Sequence, residues 1–180
     1  DVYFGIVRYA RERTGWILHL HSPRIAAEMA EAFQPDGILA REAVESLHIR
    51  TGQPPIPFVR VGWNAYDPPW PCVVPDNPAV GRIAAAHLLE RGVRAVTAFG
   101  PMREPYARRR WEGVREAVAG RGALLAPLAT TSARWQRAPH TALRRLRTWL
   151  IEAMERGAGI VSIWDKSAVM LLQTARHLGV

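Results

Sequence analysis

The chain has 180 residues, of which 24 are basic and 16 are acidic, so its formal net charge is +8. Hydrophobic residues make up 48% of the sequence, enough to build a packed core, which excludes an intrinsically disordered protein. Cys72 is the single cysteine, which excludes a disulfide scaffold, and the longest apolar runs are far too short to span a bilayer. A high positive charge often indicates nucleic-acid binding, but that inference requires basic residues clustered on one face.

Helical and extended patterns alternate along the chain. In chain order the predicted elements are a helix at 2–14, a strand at 16–21, a helix at 25–33, a strand at 37–40, a helix at 42–49, strands at 58–61 and 72–74, a helix at 77–91, a strand at 95–99, a helix at 106–119, a strand at 123–128, a helix at 139–154, a strand at 159–163 and a helix at 167–178. Residues 62–71 and 129–138 are predicted loops. This alternation predicts an α/β fold with parallel sheets and helices on both faces.

The two ends of the chain fall inside this pattern. The sequence starts within a helix that no strand precedes, and it stops one residue after Gly179, which looks like a helix C-cap. We therefore expect an internal fragment that lacks its first strand and exposes a sheet edge. No signal peptide is visible, so we expect a cytoplasmic protein, in which a lone reduced thiol is ordinary.

Ligands of open α/β sheets bind beyond the carboxyl ends of the strands. Reading those ends along the sequence gives Ser22, Arg41, Gly62, Gly100 and the pair Trp164–Asp165. Asp165 follows an apolar strand and precedes a helix, where its carboxylate can accept hydrogen bonds from ligand hydroxyls. Its alternative role is to cap the helix at 167–178, and both roles use the same geometry.

Arg110 is the second candidate for a ligand contact. On a helix that buries Ala107, Trp111, Val114 and Val118, it lies at the edge of the packed face, whereas Arg108 and Arg109 point into solvent. A guanidinium donates hydrogen bonds in a fixed plane, which suits polyols and carboxylates. The alternative is a structural ion pair.

Two further candidates come from loops. Asn77 is predicted to cap the helix that begins there, with Pro78 in its first turn, and this leaves Asp76 available for a ligand. Alternatively Asp76 is itself the cap or part of an Asx turn. Three aromatic residues of the 62–71 loop can stack on a sugar face or pack on a neighbouring surface: Trp63, Tyr66 and Trp70.

Catalysis, metal binding and direct nucleic-acid binding find no support in the sequence. His19 and His21 share one predicted strand face with no further metal ligand at suitable spacing, and none of the common nucleotide, nucleophile or zinc-protease motifs is present. Arg144, Arg145 and Arg147 fit the solvated face of an amphipathic helix. We therefore expect neither enzyme activity nor a cofactor.

Several segments resemble a known family. Residues 73–92 (VVPDNPAVGRIAAAHLLERG) look like a signature of the LacI/GalR effector domain, and Ala95–Gly100 followed by Arg110-Trp111-Glu112-Gly113 resembles its strand and R-x-x-G helix. The strand at 160–163 followed by Asp165 and Ala168 fits the same pattern. Residues 1–10, 36–40 and 146–150 are similar to xylose-type regulators of the AraC family, and the resemblance covers nearly the whole chain.

This resemblance implies a two-lobed type I periplasmic-binding-protein-like fold, with lobes at residues 1–92 and 93–180. It implies an effector, a monosaccharide such as a pentose, in the interlobe cleft, and a dimer that binds DNA through a domain outside this chain. By position it assigns effector contacts to Arg110 and Asp165 and places Asp1 near another. The family often has Asn before the Asp, whereas this sequence has Trp164, whose indole can stack on a sugar but cannot make an amide's paired hydrogen bonds.

Overall fold

The computed structural model describes residues 2–22, 25–40, 56–62 and 71–179. The chain divides into two compact units, the first comprising Asp1–Gly62 and Pro68–Val73 and the second comprising Trp63–Asp67 and Val74–Val180. The helix predicted at 42–49, Asp1, and the loop residues Arg41, Trp63, Tyr66 and Trp70 lie outside the described residues.

In its described residues, the first unit carries a small parallel sheet and two α-helices. Its elements are helix α1 (Val2–Tyr9), a π-helical turn (Ala10–Thr14), helix α2 (Ala26–Phe33) and strands β1 (Ile38–Ala40), β2 (Phe58–Val61) and β3 (Cys72–Val73). The strands pair in parallel in the order β1-β2-β3. The predicted strand at 16–21 was wrong, because these residues pair with no strand of the described chain, and Ile17 and Leu20 are exposed.

The second unit alternates strands and helices as predicted. Its elements are helix α3 (Asn77–Glu90), strand β4 (Ala95–Gly100), helix α4 (Pro105–Val118), strands β5 (Ala123–Leu124) and β6 (Leu128–Ala129), helices α5 (Ser132–Arg137) and α6 (Pro139–Glu155), strand β7 (Ala158–Ser162) and helix α7 (Asp165–His177). Within the described chain, no helix is long and apolar enough to cross a membrane.

Strand β4 is the centre of the second unit's sheet. One edge of it pairs with β5 at the strand's start and with β6 at its end, while β7 pairs along Ala95–Phe99, and all pairs are parallel. The single strand predicted at 123–128 is split, and the buried Thr97 hydroxyl of β4 donates a hydrogen bond to the Ala126 carbonyl between the two pieces (3.0 Å). The loop predicted at 129–138 contains helix α5.

The core of this unit has one layer on each face of the sheet. Alternate residues of β4 point to opposite faces, so Val96 and Ala98 pack beneath α3 and α4, whereas Phe99 packs with Leu146 and Leu150 of α6 and with α7. The parallel α/β fold predicted from the sequence is therefore confirmed.

Helices α3 and α4 cross with their backbones in contact at two glycines. An ideal Cβ added to Gly81 would lie 1.9 Å from the Arg110 carbonyl oxygen, and one added to Gly113 would lie 2.0 Å from the Pro78 carbonyl oxygen. Each helix thus presents a glycine to the other's main chain. This packing places α3 in the second unit, so the boundary near residue 74 differs from the predicted boundary at 92.

We expect Gly113→Ala to lower the free energy of unfolding by about 2 to 3 kcal/mol, because the methyl group must push two helices apart. Gly81→Ala should act similarly. The control is Gly5→Ala in α1, where an added Cβ meets no atom within 4 Å, and helix propensity predicts a gain of about 0.5 to 1 kcal/mol. Urea unfolding measures all three, and equal effects of Gly113→Ala and Gly5→Ala would contradict the close crossing.

Candidate functional site

The carboxyl ends of three strands of the second unit form one edge of the sheet. Strands β4, β6 and β7 end at Gly100, Ala129 and Ser162. Two hydrogen bonds continue the pairing past these ends, from the Thr130 amide to the Gly100 carbonyl (2.9 Å) and from the Ile163 amide to the Phe99 carbonyl (2.9 Å). The predicted site residues Gly100 and Trp164–Asp165 therefore lie on a common, well-ordered edge, where ligands of α/β sheets bind.

Arg110 is the half-buried centre of this edge. Its Nε donates to the Asn77 side-chain oxygen (2.8 Å), and its Nη1 donates to the Ile163 carbonyl (2.6 Å). The first bond reaches the start of α3, and the second reaches the turn between β7 and α7. One guanidinium, held on α4, thus connects the segments that carry Asp76 and Trp164–Asp165. This geometry favours a structural role for these two donors. Their acceptors are the Asn77 side-chain amide and a main-chain carbonyl, not the carboxylate of the ion pair considered from the sequence.

Asn77 and Asp76 have the reverse of their predicted roles. Asp76 is the N-cap of α3, with its carboxylate accepting a hydrogen bond from the Ala79 amide (2.9 Å). Asn77 is fully buried, and its amide donates to the Pro75 carbonyl (3.2 Å) while its oxygen accepts from Arg110. The prediction that Asn77 caps the helix was wrong, because Asp and Asn cap equally well and only the packing on α4 distinguishes them.

The turn after β7 presents three adjacent side chains. Trp164 is the N-cap residue of α7 and makes no side-chain capping bond, while Asp165 is the first helical residue, so it is not the predicted cap. The Asp165 carboxylate is exposed, and the Lys166 ammonium lies 5.0 Å from the centroid of the Trp164 ring. The Ser162 hydroxyl donates to the Trp164 carbonyl (3.0 Å) and steadies the turn.

Tyr106 lies beneath Arg110 in the first turn of α4. The Arg110 guanidinium carbon is 5.3 Å from the centroid of the buried Tyr106 ring. Burial raises the pKa of the Tyr106 phenol, and the neighbouring Glu104 carboxylate raises it further, whereas the Arg110 charge opposes both. The phenol therefore stays protonated at neutral pH and keeps its hydroxyl donor.

A shallow depression lies beside the end of β6. It is lined by residues from β4, β6 and α6: Phe99, Leu128, Ala129, Thr130, Ala142, Arg145 and Leu146. Apolar side chains form most of its wall, and Thr130 and Arg145 supply the polar groups. In the described residues no group of three His, Cys, Asp or Glu side chains is arranged to hold a metal ion.

The structure unites four of the five site residues predicted from the sequence. Arg110, Asp165, Trp164 and Asp76 all belong to the segments at this edge, while Asp1 lies outside the described residues. Sequence reasoning missed Asn77, Tyr106 and Lys166. The contact between Asn77 and Arg110 could have been predicted by packing the glycine of α3 against the glycine of α4. For Lys166 the sequence shows only that it is the one lysine of the chain.

Among curated proteins, the chain is similar to an operon regulatory protein. The chain is 28% identical over 153 residues to the xylose operon regulatory protein of Escherichia coli strain K12, a match that covers 79% of this chain. It spans 38% of the length of that relative. No protein-family model matches the sequence.

Solved structures confirm the fold class. A substrate-binding protein of a sugar ABC transport system from Bordetella parapertussis superposes with a TM-score of 0.71 at 16% identity, covering 99% of this chain and 60% of its own. A xylose-binding transcription activator superposes with a TM-score of 0.60 at 26% identity, covering 85% of this chain and 45% of its own. Others are described as LacI and PurR-family transcriptional regulators. The fold is thus type I periplasmic-binding-protein-like.

The predicted resemblance is confirmed by the same findings. This chain is similar to xylose-type regulators, and its structural neighbours include LacI/GalR-type regulators. The proteins compared are described as regulators or sugar-binding proteins rather than enzymes.

We expect Arg110→Met to lower the free energy of unfolding by about 1 to 3 kcal/mol, because it removes the hydrogen bonds to the buried Asn77 oxygen and to the Ile163 carbonyl. Arg121→Met, which removes an exposed arginine with no such bonds, should change it by less than about 0.5 kcal/mol. Combining Arg110→Met with Asn77→Leu in a double-mutant cycle should give non-additive losses. Additive losses of unfolding free energy, measured by thermal or urea unfolding, would contradict an energetic coupling between Arg110 and Asn77.

The capping role of Asp76 gives a separate prediction. Asp76→Ala should cost about 0.5 to 2 kcal/mol of stability, whereas Asp76→Ser should retain most of it, since a hydroxyl also caps. Circular dichroism melts of the two variants make the measurement. Equal losses of stability in Asp76→Ala and Asp76→Ser would contradict the capping role and leave a ligand contact as the role of this carboxylate.

Proposed function

We propose that this chain is the effector-binding part of a sugar-responsive transcription regulator. The observation that carries the proposal is the ordered edge at the carboxyl ends of β4, β6 and β7, where Arg110 ties the Trp164–Asp165 turn to the α3–α4 pair. The similarity to xylose regulators supports the regulator class, and the similarity to sugar-binding proteins of the same fold supports a sugar as the ligand.

Each side chain at this edge has a role that follows from its chemistry. The exposed Asp165 carboxylate accepts hydrogen bonds from sugar hydroxyls, and the Trp164 indole offers an apolar face to the sugar ring. Arg110 donates hydrogen bonds from Nε to Asn77 and from Nη1 to Ile163, so its main role is to position the turn. Its Nη2 can donate to the ligand. Asp76 caps the start of α3, the segment that carries the Arg110 acceptor Asn77.

The output of the regulator lies beyond these residues. In the proposed mechanism, the sugar shifts the population of the effector domain toward a closed form, and this changes DNA binding by a domain outside this chain. The regulator acts as a cytoplasmic homodimer, and the domain itself performs no catalysis. The short span of this chain relative to the xylose regulator is consistent with a DNA-binding region located elsewhere in the protein.

A second candidate is a solute-binding protein of a sugar transporter. It is favoured by the TM-score of 0.71 to the sugar ABC transport protein from Bordetella parapertussis. The two candidates differ in output rather than in ligand. Sugar-dependent change in operator binding by the intact protein supports the regulator, whereas secretion of the intact protein supports the transporter component.

We expect isothermal titration calorimetry of the full chain with aldopentoses and aldohexoses to detect binding of at least one sugar. Asp165→Asn should weaken that binding about tenfold, because a charge-assisted hydrogen bond to a sugar hydroxyl is replaced by a neutral one. Since Asp165 is exposed and lies in the first turn of α7, the variant should lose only the helix-dipole contribution, about 0.3 to 1 kcal/mol, and remain folded. The matched control is Glu112→Gln on the outer face of α4, which should bind as the parent does.

Two results would refute the assignment at different levels. No heat with any sugar would reject the sugar-binding function itself. Binding that Asp165→Asn and Glu112→Gln leave equally unchanged would keep the function and move the site away from the β7–α7 turn.

A further inference from the structure

Lys166 stands out among the charged residues of this chain. It is the only lysine among 24 basic residues. It lies in the first turn of the 13-residue helix α7, where the helix dipole disfavours a cation. Its side chain is exposed, and its ammonium lies 5.0 Å from the centre of the Trp164 ring. Helix stability does not account for a cation held at this place.

Lys166 has no anionic partner of its own in the structure. It forms no ion pair within the described residues, and the adjacent Asp165 carboxylate is not within 4.0 Å of its nitrogen. The indole instead fixes the ammonium by a cation–π contact beside the carboxylate. The turn therefore offers, side by side, an acceptor for hydroxyl groups, a flat apolar ring and an oriented positive charge.

Other basic residues belong to the segments at the ends of the neighbouring strands. Arg103 is exposed on the loop that follows β4, Arg110 lies beneath the β7–α7 turn, and Arg145 lines the depression at the end of β6. Against these four cations stand three carboxylates, those of Asp165, of Glu104 and of Asp76, and the last is occupied in capping α3.

The net positive charge of the chain lies in the second unit. The second unit contains 17 basic and 9 acidic residues, whereas the first contains 7 of each. The second unit thus carries all of the excess positive charge. Its field raises the local concentration of anions relative to neutral solutes.

We propose that the effector is an anionic sugar, one that carries a carboxylate or a phosphate, and that Lys166 is the residue that selects it. This inference rests on the proposed function, because it specifies the ligand of the same site. The Asp165 carboxylate accepts the sugar's hydroxyls, the Trp164 indole contacts the ring, and the Lys166 ammonium binds the anionic group. A neutral pentose would leave Lys166 without an anionic partner.

A set of closely matched sugars tests this proposal in calorimetric titrations of the full chain. D-Xylose is the neutral probe, and D-glucuronate is the same pyranose with a carboxylate on carbon 5. D-Glucose controls for the added carbon, and D-xylose 1-phosphate places the anion at the other end of the ring. We expect D-glucuronate or D-xylose 1-phosphate to bind at least about tenfold more tightly than both neutral sugars, as a charge-assisted contact requires.

The variants isolate Lys166 from the general positive charge. Lys166→Gln should lower the affinity for the anionic sugar about tenfold and leave that for neutral sugars within about twofold, whereas Lys166→Arg should retain most of it. Arg176→Gln, in the last turn of the same helix, removes the same charge at the far end and should change neither. Raising the salt concentration should weaken binding of the anion in the parent more than in Lys166→Gln.

The outcomes separate the two proposals. Tighter binding of a neutral sugar than of either anionic one, or equal effects of Lys166→Gln and Arg176→Gln, would overturn the anionic effector and leave the sugar-responsive function standing. A preference for D-glucuronate identifies a sugar acid, and a preference for D-xylose 1-phosphate identifies a sugar phosphate. If no sugar binds, the proposed function fails along with this inference.

Discussion

The contact on which the second unit depends is the crossing of two helices whose main chains touch. Gly81 and Gly113 each remove the Cβ that would collide with the other helix, and the Arg110–Asn77 hydrogen bond lies at the same crossing. Since Arg110 also donates to the Ile163 carbonyl, the crossing fixes the β7–α7 turn. A packing constraint between two helices is thereby transmitted to the turn that carries Trp164 and Asp165.

This arrangement explains why the motifs recognised in the sequence have their particular spacing. Asn77 and Gly81 are four residues apart on α3, and Arg110 and Gly113 are three apart on α4, so each pair lies on one helical face. One face of α3 therefore supplies a hydrogen-bond acceptor and a contact glycine, and α4 supplies the matching donor and glycine. The two motifs are halves of one interface, which a reading of either motif alone as a ligand contact does not reveal.

The sequence predicted the elements of the second unit well and their ends less well. Strands β4 and β7 are short, continuous apolar runs, and helices α4, α6 and α7 have a clear apolar periodicity, so local pattern is enough to detect them. Helix α3 is marked instead by its Asp-Asn-Pro start and its Arg-Gly end, and the face that it buries, Asn77, Gly81 and Ala85, is not its apolar one. The failures have tertiary causes. The hydroxyl of Thr97 binds a carbonyl in the break between β5 and β6, and the apolar alternation at 16–21 finds no strand to pair with in the described chain. Asp76 and Asn77 are equally good caps by residue type, and only the buried bond to Arg110 decides between them.

The role of each charged residue also depends on its contacts in the fold, which the net charge of the chain does not show. A net charge of +8 made mostly of arginine describes the chain without locating a ligand. Arg110 uses its charge to hold neutral acceptors inside the unit, which is a structural use of a cation. Lys166 is held over an indole beside an exposed carboxylate, at a helix start that does not favour it. The residue proposed to distinguish a ligand class is therefore the cation whose position the fold does not otherwise require. The sequence alone cannot show this property, because it depends on which side chains each cation contacts.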